Sequence, residues 1–176
     1  MRISGTGLAL RGGNRSVSEA IVQTIQLQTK VLLDNIQTTL DYCDDSLMEK
    51  SFPTWPVWKQ FYHLLHSLDE WFIDPVSFKE PSMHQPYFRT SDSGPEKLTR
   101  GQVGEYFKQV RARIESYLNS LTASLLLEHV GKGDLTRLDL ILIQFRHVMH
   151  HIGYLHCAIK NETGESPKYI GFKPQW

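Results

Sequence analysis

The segment LTRLDLILIQFRHVMHHIGYLHCAIK, residues 135–160, places apolar side chains at Ile141, Phe145, Val148, Ile152, Leu155 and Ile159. Those steps of three and four follow the 3.6-residue period of an α-helix, so the six side chains line one stripe. Thr136 and Asp139 stand where they can cap the start. Between them, neither glycine nor proline interrupts the pattern before Gly153. The spacing predicts a long helix that buries one face and carries His147, His150, His151 and His156 around the rest.

Three further segments repeat this pattern. Ser16-Val17-Ser18-Glu19 has the spacing of a capping box, in which serine and glutamate side chains satisfy free amides at a helix start. From there Ile21, Ile25, Val31, Leu32, Ile36 and Leu40 recur at helical steps as far as Cys43. Ser51 to Pro56 reads as a turn or extended linker, since each proline biases its predecessor away from the helical region. A second helix follows from about Val57 to Ile73, stopped at Asp74-Pro75. A third opens at Thr99 to Gln102, again a capping box, and runs to Leu121. The stretch Val76–Lys97, with Pro81, Pro86 and Pro95, is the longest irregular connection, and such loops in compact domains are often functional. No strand-like alternation of useful length appears. Four helical segments of this kind predict an all-α, four-helix bundle. Residues 1–15, rich in glycine and without periodicity, read as a flexible N-terminal arm, and residues 16–176 as a single helical domain.

Composition narrows the function classes. Of the 176 residues, 40% are hydrophobic and 22% charged, enough apolar surface for a sizeable core. Lys plus Arg and Asp plus Glu are 19 each, so the net charge is zero. A neutral chain lacks the basic footprint of a nucleic-acid or membrane-surface binder. No apolar run approaches the ~20 residues of a membrane span. With two cysteines there is no disulfide framework, and the expectation is a soluble cytoplasmic protein. Cys157, six residues past His151, reads as a buried, inert thiol facing away from any site there. Cys43 reads the same way.

Six of the eight histidines fall on two helices, four on the last and His63 and His66 on the second. His147 and His151 are four apart and share a ridge beside the apolar stripe, with Cβ atoms roughly 5–6 Å from each other. Both imidazoles reach one zinc ion at that spacing. His150 projects from a different face, and His156 falls within the stripe, where a hydrogen-bonded core histidine is the simplest reading. A third ligand has to come from another helix. On the second helix the apolar stripe is Phe61, Leu64, Leu65, Leu68 and Phe72, and His63 and His66 both lie away from its centre, so the wheel leaves the choice open. His63 as ligand requires that this helix be contacted on more than one side. The His-Glu-x-x-His of zinc proteases and the paired Glu-x-x-His of di-iron bundles are both absent.

Two stretches carry a family resemblance. Tyr62-His63-Leu64-Leu65-His66-Ser67-Leu68-Asp69-Glu70-Trp71-Phe72 resembles the helix-two motif of the DinB-like superfamily, which includes the YfiT-type proteins regarded as metal-dependent hydrolases. Arg146-His147-Val148-Met149-His150-His151-Ile152-Gly153 resembles the Arg-His-x-x-His-His-x-Gly signature of the same family. The order of the elements agrees from about Ser16 onward. Carried over by position, the resemblance implies His63, His147 and His151 as metal ligands, the Leu68-Asp69 step aligning His63 rather than His66, with His150 a neighbouring or surface residue. Members often have glutamine after the glycine; here the residue is Tyr154.

The resemblance implies a divalent ion, zinc or nickel, with positions left for water or substrate. It further implies thiol transfer or hydrolysis through a metal-bound thiolate or hydroxide, with a small-molecule thiol or similar substrate. No side chain presents itself as a general base. Asp69 and Glu70 are read as solvated surface groups, Tyr62 and Tyr154 as packing or pocket lining. The competing reading is a non-catalytic homodimeric bundle, an interaction module, with Trp55, Trp58, Trp71 and Phe72 forming the face between subunits.

Overall fold

A computed structural model describes residues 16–52, 55–90, 94–131 and 133–171. The N-terminal arm expected over 1–15 lies outside these residues. Four long helices, α1 (Val17–Tyr42), α3 (Val57–Trp71), α4 (Arg100–Asn119) and α6 (Arg137–Thr163), make up the bundle. Two short helices, α2 (Asp45–Glu49) and α5 (Ala123–Leu126), fall in the connections. The segment read as an extended linker holds a minimal antiparallel pair, β1 (Ser51–Phe52) with β2 (Trp55–Pro56).

Local chemistry sets the helix ends. The three capping boxes form: Ser16 with Glu19 on α1, Thr99 with Gln102 on α4, Thr136 with Asp139 on α6. Each satisfies amides that the first turn would otherwise leave unpaired. The α6 helix ends at Gly164, whose φ of 82° lies in the left-handed region that glycine enters without a Cβ clash.

Around the bundle, α3 packs on α6 and on α4, while α1 packs on the same two helices. Each long helix therefore has two neighbours, and the core lies along the axis they enclose. Leu33 and Ile36 of α1, Phe61, Leu64, Leu65 and Leu68 of α3, Val103 and Val110 of α4, and Ile141 and Val148 of α6 are all buried there. Full burial of such a side chain stabilises by about 1.5–3 kcal/mol. The α6 stripe is as expected except that Phe145 is half-buried.

The α3 helix is the most enclosed element. Besides α4 and α6 it meets α2, β2 and a 3-10 turn at Pro86–Arg89. Val57 to Tyr62 are all buried, right round the helix. That enclosure corrects two expectations. His66, read as lying off the packed face, is 1% exposed, because residues of the 76–90 loop cover that side. Trp58 and Phe72, read as part of a face between subunits, are core residues at 4% and 1% exposure. Trp58 packs edge-on against Phe88 of the 3-10 turn. Trp71 stays exposed.

Candidate metal centre

The helices α3 and α6 are adjacent, and the histidines that the wheel put beside their apolar stripes meet across the seam. His147 Nε2 lies 3.2 Å from His63 Nε2 and 3.1 Å from His151 Nε2. The three rings stand edge to face, with centroids 4.6–5.1 Å apart. Four-coordinate zinc bound at about 2.0–2.1 Å sets its nitrogens about 3.3 Å apart. The observed separations are those of ligands around one small ion.

Hydrogen bonding supports the same reading. The Nδ1–H of His151 donates to Oε1 of Gln60, at 3.2 Å, which leaves Nε2 with its lone pair toward the cluster. His147 Nε2 carries at most one proton, yet it faces a nitrogen on each side. With a single in-plane site, Nε2 satisfies at most one of those contacts by a hydrogen bond, and a shared cation satisfies both. A partner such as Gln60, one bond removed from the ion, is how metal-binding imidazoles are usually oriented. His147 Nδ1 is buried without a partner among the described residues.

The electrostatics keep all three rings in the form a metal needs. Burial pushes His63 down to about 4 and His151 down to about 3, and the neighbouring imidazoles add to each shift. His147 is lowered as well, first by burial. Neutral imidazoles at neutral pH present lone pairs rather than repelling charges. Trp55 of β2 closes one side of His63 with its ring edge, centroids 5.3 Å apart. The β-pair is tied to α6 in turn, since the Tyr154 hydroxyl donates to the Phe52 carbonyl. Tyr154 thus positions the hairpin.

A family model of the DinB superfamily matches residues 28–155, close to three quarters of the chain. The chain belongs to the DinB superfamily. No curated protein and no solved structure matches it. The matched DinB segment begins within α1 and ends within α6, so it contains His63, His147 and His151.

Other sequence expectations for this DinB chain fare unevenly. His150 is exposed, its ring edge-on to His151. His156 makes the expected hydrogen bond, Nε2 lying 2.9 Å from Thr39 Oγ1, but is half-buried rather than in the core. Cys157 is exposed rather than buried, because α6 at that point turns Ala158 and Ile159 inward and leaves position 157 outside. Cys43 is buried and its thiol is pushed up to about 12 by that burial, so it stays protonated.

Asp69 and Glu70 are not solvated surface groups. Asp69, its side chain 8% exposed, takes a bidentate pair from Arg113 at 2.7 and 2.9 Å and accepts from the Tyr106 hydroxyl at 3.0 Å. Glu70 faces His66 and Arg89. Tyr62 is fully buried and its hydroxyl is hydrogen-bonded with His84 Nδ1 at 2.5 Å. Gln60 escaped the sequence reading, although its place one turn before His63 was a usable signal. His84 carried no such signal, since only the folding of the loop brings it to α3.

Proposed function

We propose that His63, His147 and His151 hold a divalent ion of the zinc or nickel class, and that the chain is a metal-dependent enzyme of the thiol-transfer or hydrolytic type. The supporting observation is that His147 Nε2 lies 3.2 Å from that of His63 and 3.1 Å from that of His151, with one ligand atom of each residue within 4.8 Å of the other two and the tautomer of His151 set by Gln60. Held by these three histidines, a divalent ion would keep coordination positions open and would lower the pKa of a thiol or water bound there. The rest is the work of this chain's own groups. The buried imidazoles stay neutral, Gln60 orients one of them, and Trp55 shields His63 from solvent. Among the described residues no carboxylate hydrogen-bonds to the three histidines. The interaction-module reading loses two of its four aromatic residues, since Trp58 and Phe72 belong to the core while Trp71 stays exposed.

The test is metal content by mass spectrometry on untagged protein, wild type against His63→Ala and His151→Ala. The wild type is expected to hold an ion that both variants lose. Cobalt(II) in its place should develop sulfur-to-cobalt charge-transfer absorption when a small thiol is added, and His151→Ala should not. A wild type that takes up no ion after reconstitution with zinc and nickel refutes the metal centre. Bound cobalt that ignores thiols refutes thiol transfer.

A further inference from the structure

One turn along α3 from the metal centre, a second group of ligand atoms gathers around His66, and it does not depend on the first. His66 is 1% exposed, and a carboxylate faces each of its nitrogens: Glu80 Oε2 at 2.6 Å from Nε2, and Glu70 Oε2 at 3.7 Å from Nδ1. His84 Nδ1 lies 3.6 Å from the same Glu80 oxygen. One donor atom from each of His66, Glu80 and His84 falls within 4.8 Å of the other two. From these positions we propose that His66, Glu80 and His84 form a second divalent-cation site, of the zinc class, which fastens the 76–90 loop to α3.

The arrangement divides its oxygens between two tasks. Arg89 approaches Oε1 of Glu80, at 3.8 Å, and Oε2 of Glu70, at 3.4 Å. Glu80 Oε2 is thereby left to face the two imidazoles. Glu70 Oε2 is buried and makes no hydrogen bond among the described residues, yet it lies 3.7 Å from the Nδ1 of His66. A carboxylate behind one nitrogen and an ion before the other is the usual setting of a zinc-binding histidine. Two imidazoles and a carboxylate suit zinc by ligand type. Binding asks for two adjustments. The 2.6 Å separation opens to about 3 Å, the spacing of ligands on one ion, which the half-exposed Glu80 permits. The Tyr62 hydroxyl turns away from the His84 nitrogen it now meets.

The location gives the ion a consequence. The three residues between Glu80 and His84 line a cavity of about 590 Å³, whose opposite wall is Gln102, Glu105, Tyr106, Gln109 and Arg113 of α4. An ion holding positions 80 and 84 holds that wall in place. A bare His66–Glu80 ion pair would anchor position 80 alone and would give zinc no effect on the loop.

The experiment titrates chelator-stripped, full-length protein with Zn²⁺ against a chromophoric competitor, and counts bound ions by native mass spectrometry. Wild type is expected to bind two zinc ions per chain, and Glu80→Gln and His84→Asn one each. His151→Ala is expected to keep one ion, and His151→Ala/Glu80→Gln none. Glu80 and His84 are the residues varied because both reach solvent, whereas truncating the buried His66 endangers folding. Limited proteolysis within 76–90 should slow at least severalfold on adding Zn²⁺ to His151→Ala, and not to the double variant. A second ion that survives both Glu80→Gln and His84→Asn overturns the proposal. So does a wild type that saturates at one ion abolished by His151→Ala, which would leave the three-histidine centre standing. A wild type that saturates at one ion, kept in His151→Ala and lost in Glu80→Gln, would do the reverse.

Discussion

Gln60 is buried on α3, and its amide oxygen accepts from His151, the one non-histidine side-chain hydrogen bond to the three imidazoles among the described residues. Its effect is on direction. With Nδ1–H engaged, His151 has a single way to present Nε2, and part of the ordering cost of binding an ion is met in advance. Replacing Gln60 by alanine should therefore weaken zinc binding about 10–100-fold while leaving the three ligands in place. Competition with a chelator of known affinity measures it, and an unchanged affinity would show that the contact is only packing. His63 and His66 illustrate how side chains one turn apart diverge. His63 turns to α6 and meets two imidazoles, whereas His66 turns to the 76–90 loop and meets two carboxylates. A helical wheel gives their angle but not what stands opposite each of them, so periodicity left open the choice that the family resemblance made for His63.

Helix α3 is joined to α4 by a polar contact at the margin of the core. Asp69 holds Arg113 through both oxygens and also accepts from Tyr106, which is 1% exposed. Arg113 is half-exposed, so the ion pair in itself is worth little, and it can turn to water if released. Tyr106 has no such exit. Burial, with Asp69 beside it, holds its phenol well above the ordinary value, so it remains a donor that needs an acceptor. Asp69→Ala should cost about 1–3 kcal/mol, the penalty of a buried polar group left unpaired, and Asp69→Asn should recover part of it. Urea denaturation reads the difference as a shifted midpoint at constant slope. The three-histidine site should keep its zinc in both variants. Element ends needed no such long-range partners. The capping boxes of α1, α4 and α6 lie within four consecutive residues, and each was visible in the chain before any packing was known.

For the whole molecule the buried imidazoles set an acid limit. His63, His147, His151, His84 and His156 are all lowered, in each case first by burial. In the unfolded chain they take up protons near the ordinary value of about 6.5. Below that pH the unfolded state binds protons the native state refuses, so stability falls as pH falls. The fall extends until the native groups titrate, near pH about 4 for His63 and about 3 for His151. Metal-free protein should thus lose stability from pH 7 to pH 4, and His151→Asn should lose it less steeply, as denaturation curves at each pH would show. A flat profile would mean that these rings are solvated. Periodicity, caps and breakers are properties of neighbours in the chain, and they sufficed for four helices, their order, and the ridge bearing His147 and His151. The partner of that ridge, the burial of His66, the pairing of Asp69 with Arg113 and the exposure of Cys157 depend on which surfaces face one another. Those contacts join residues 44 to 84 positions apart, or turn on what a loop covers, and no local pattern encodes a neighbour that far along the chain.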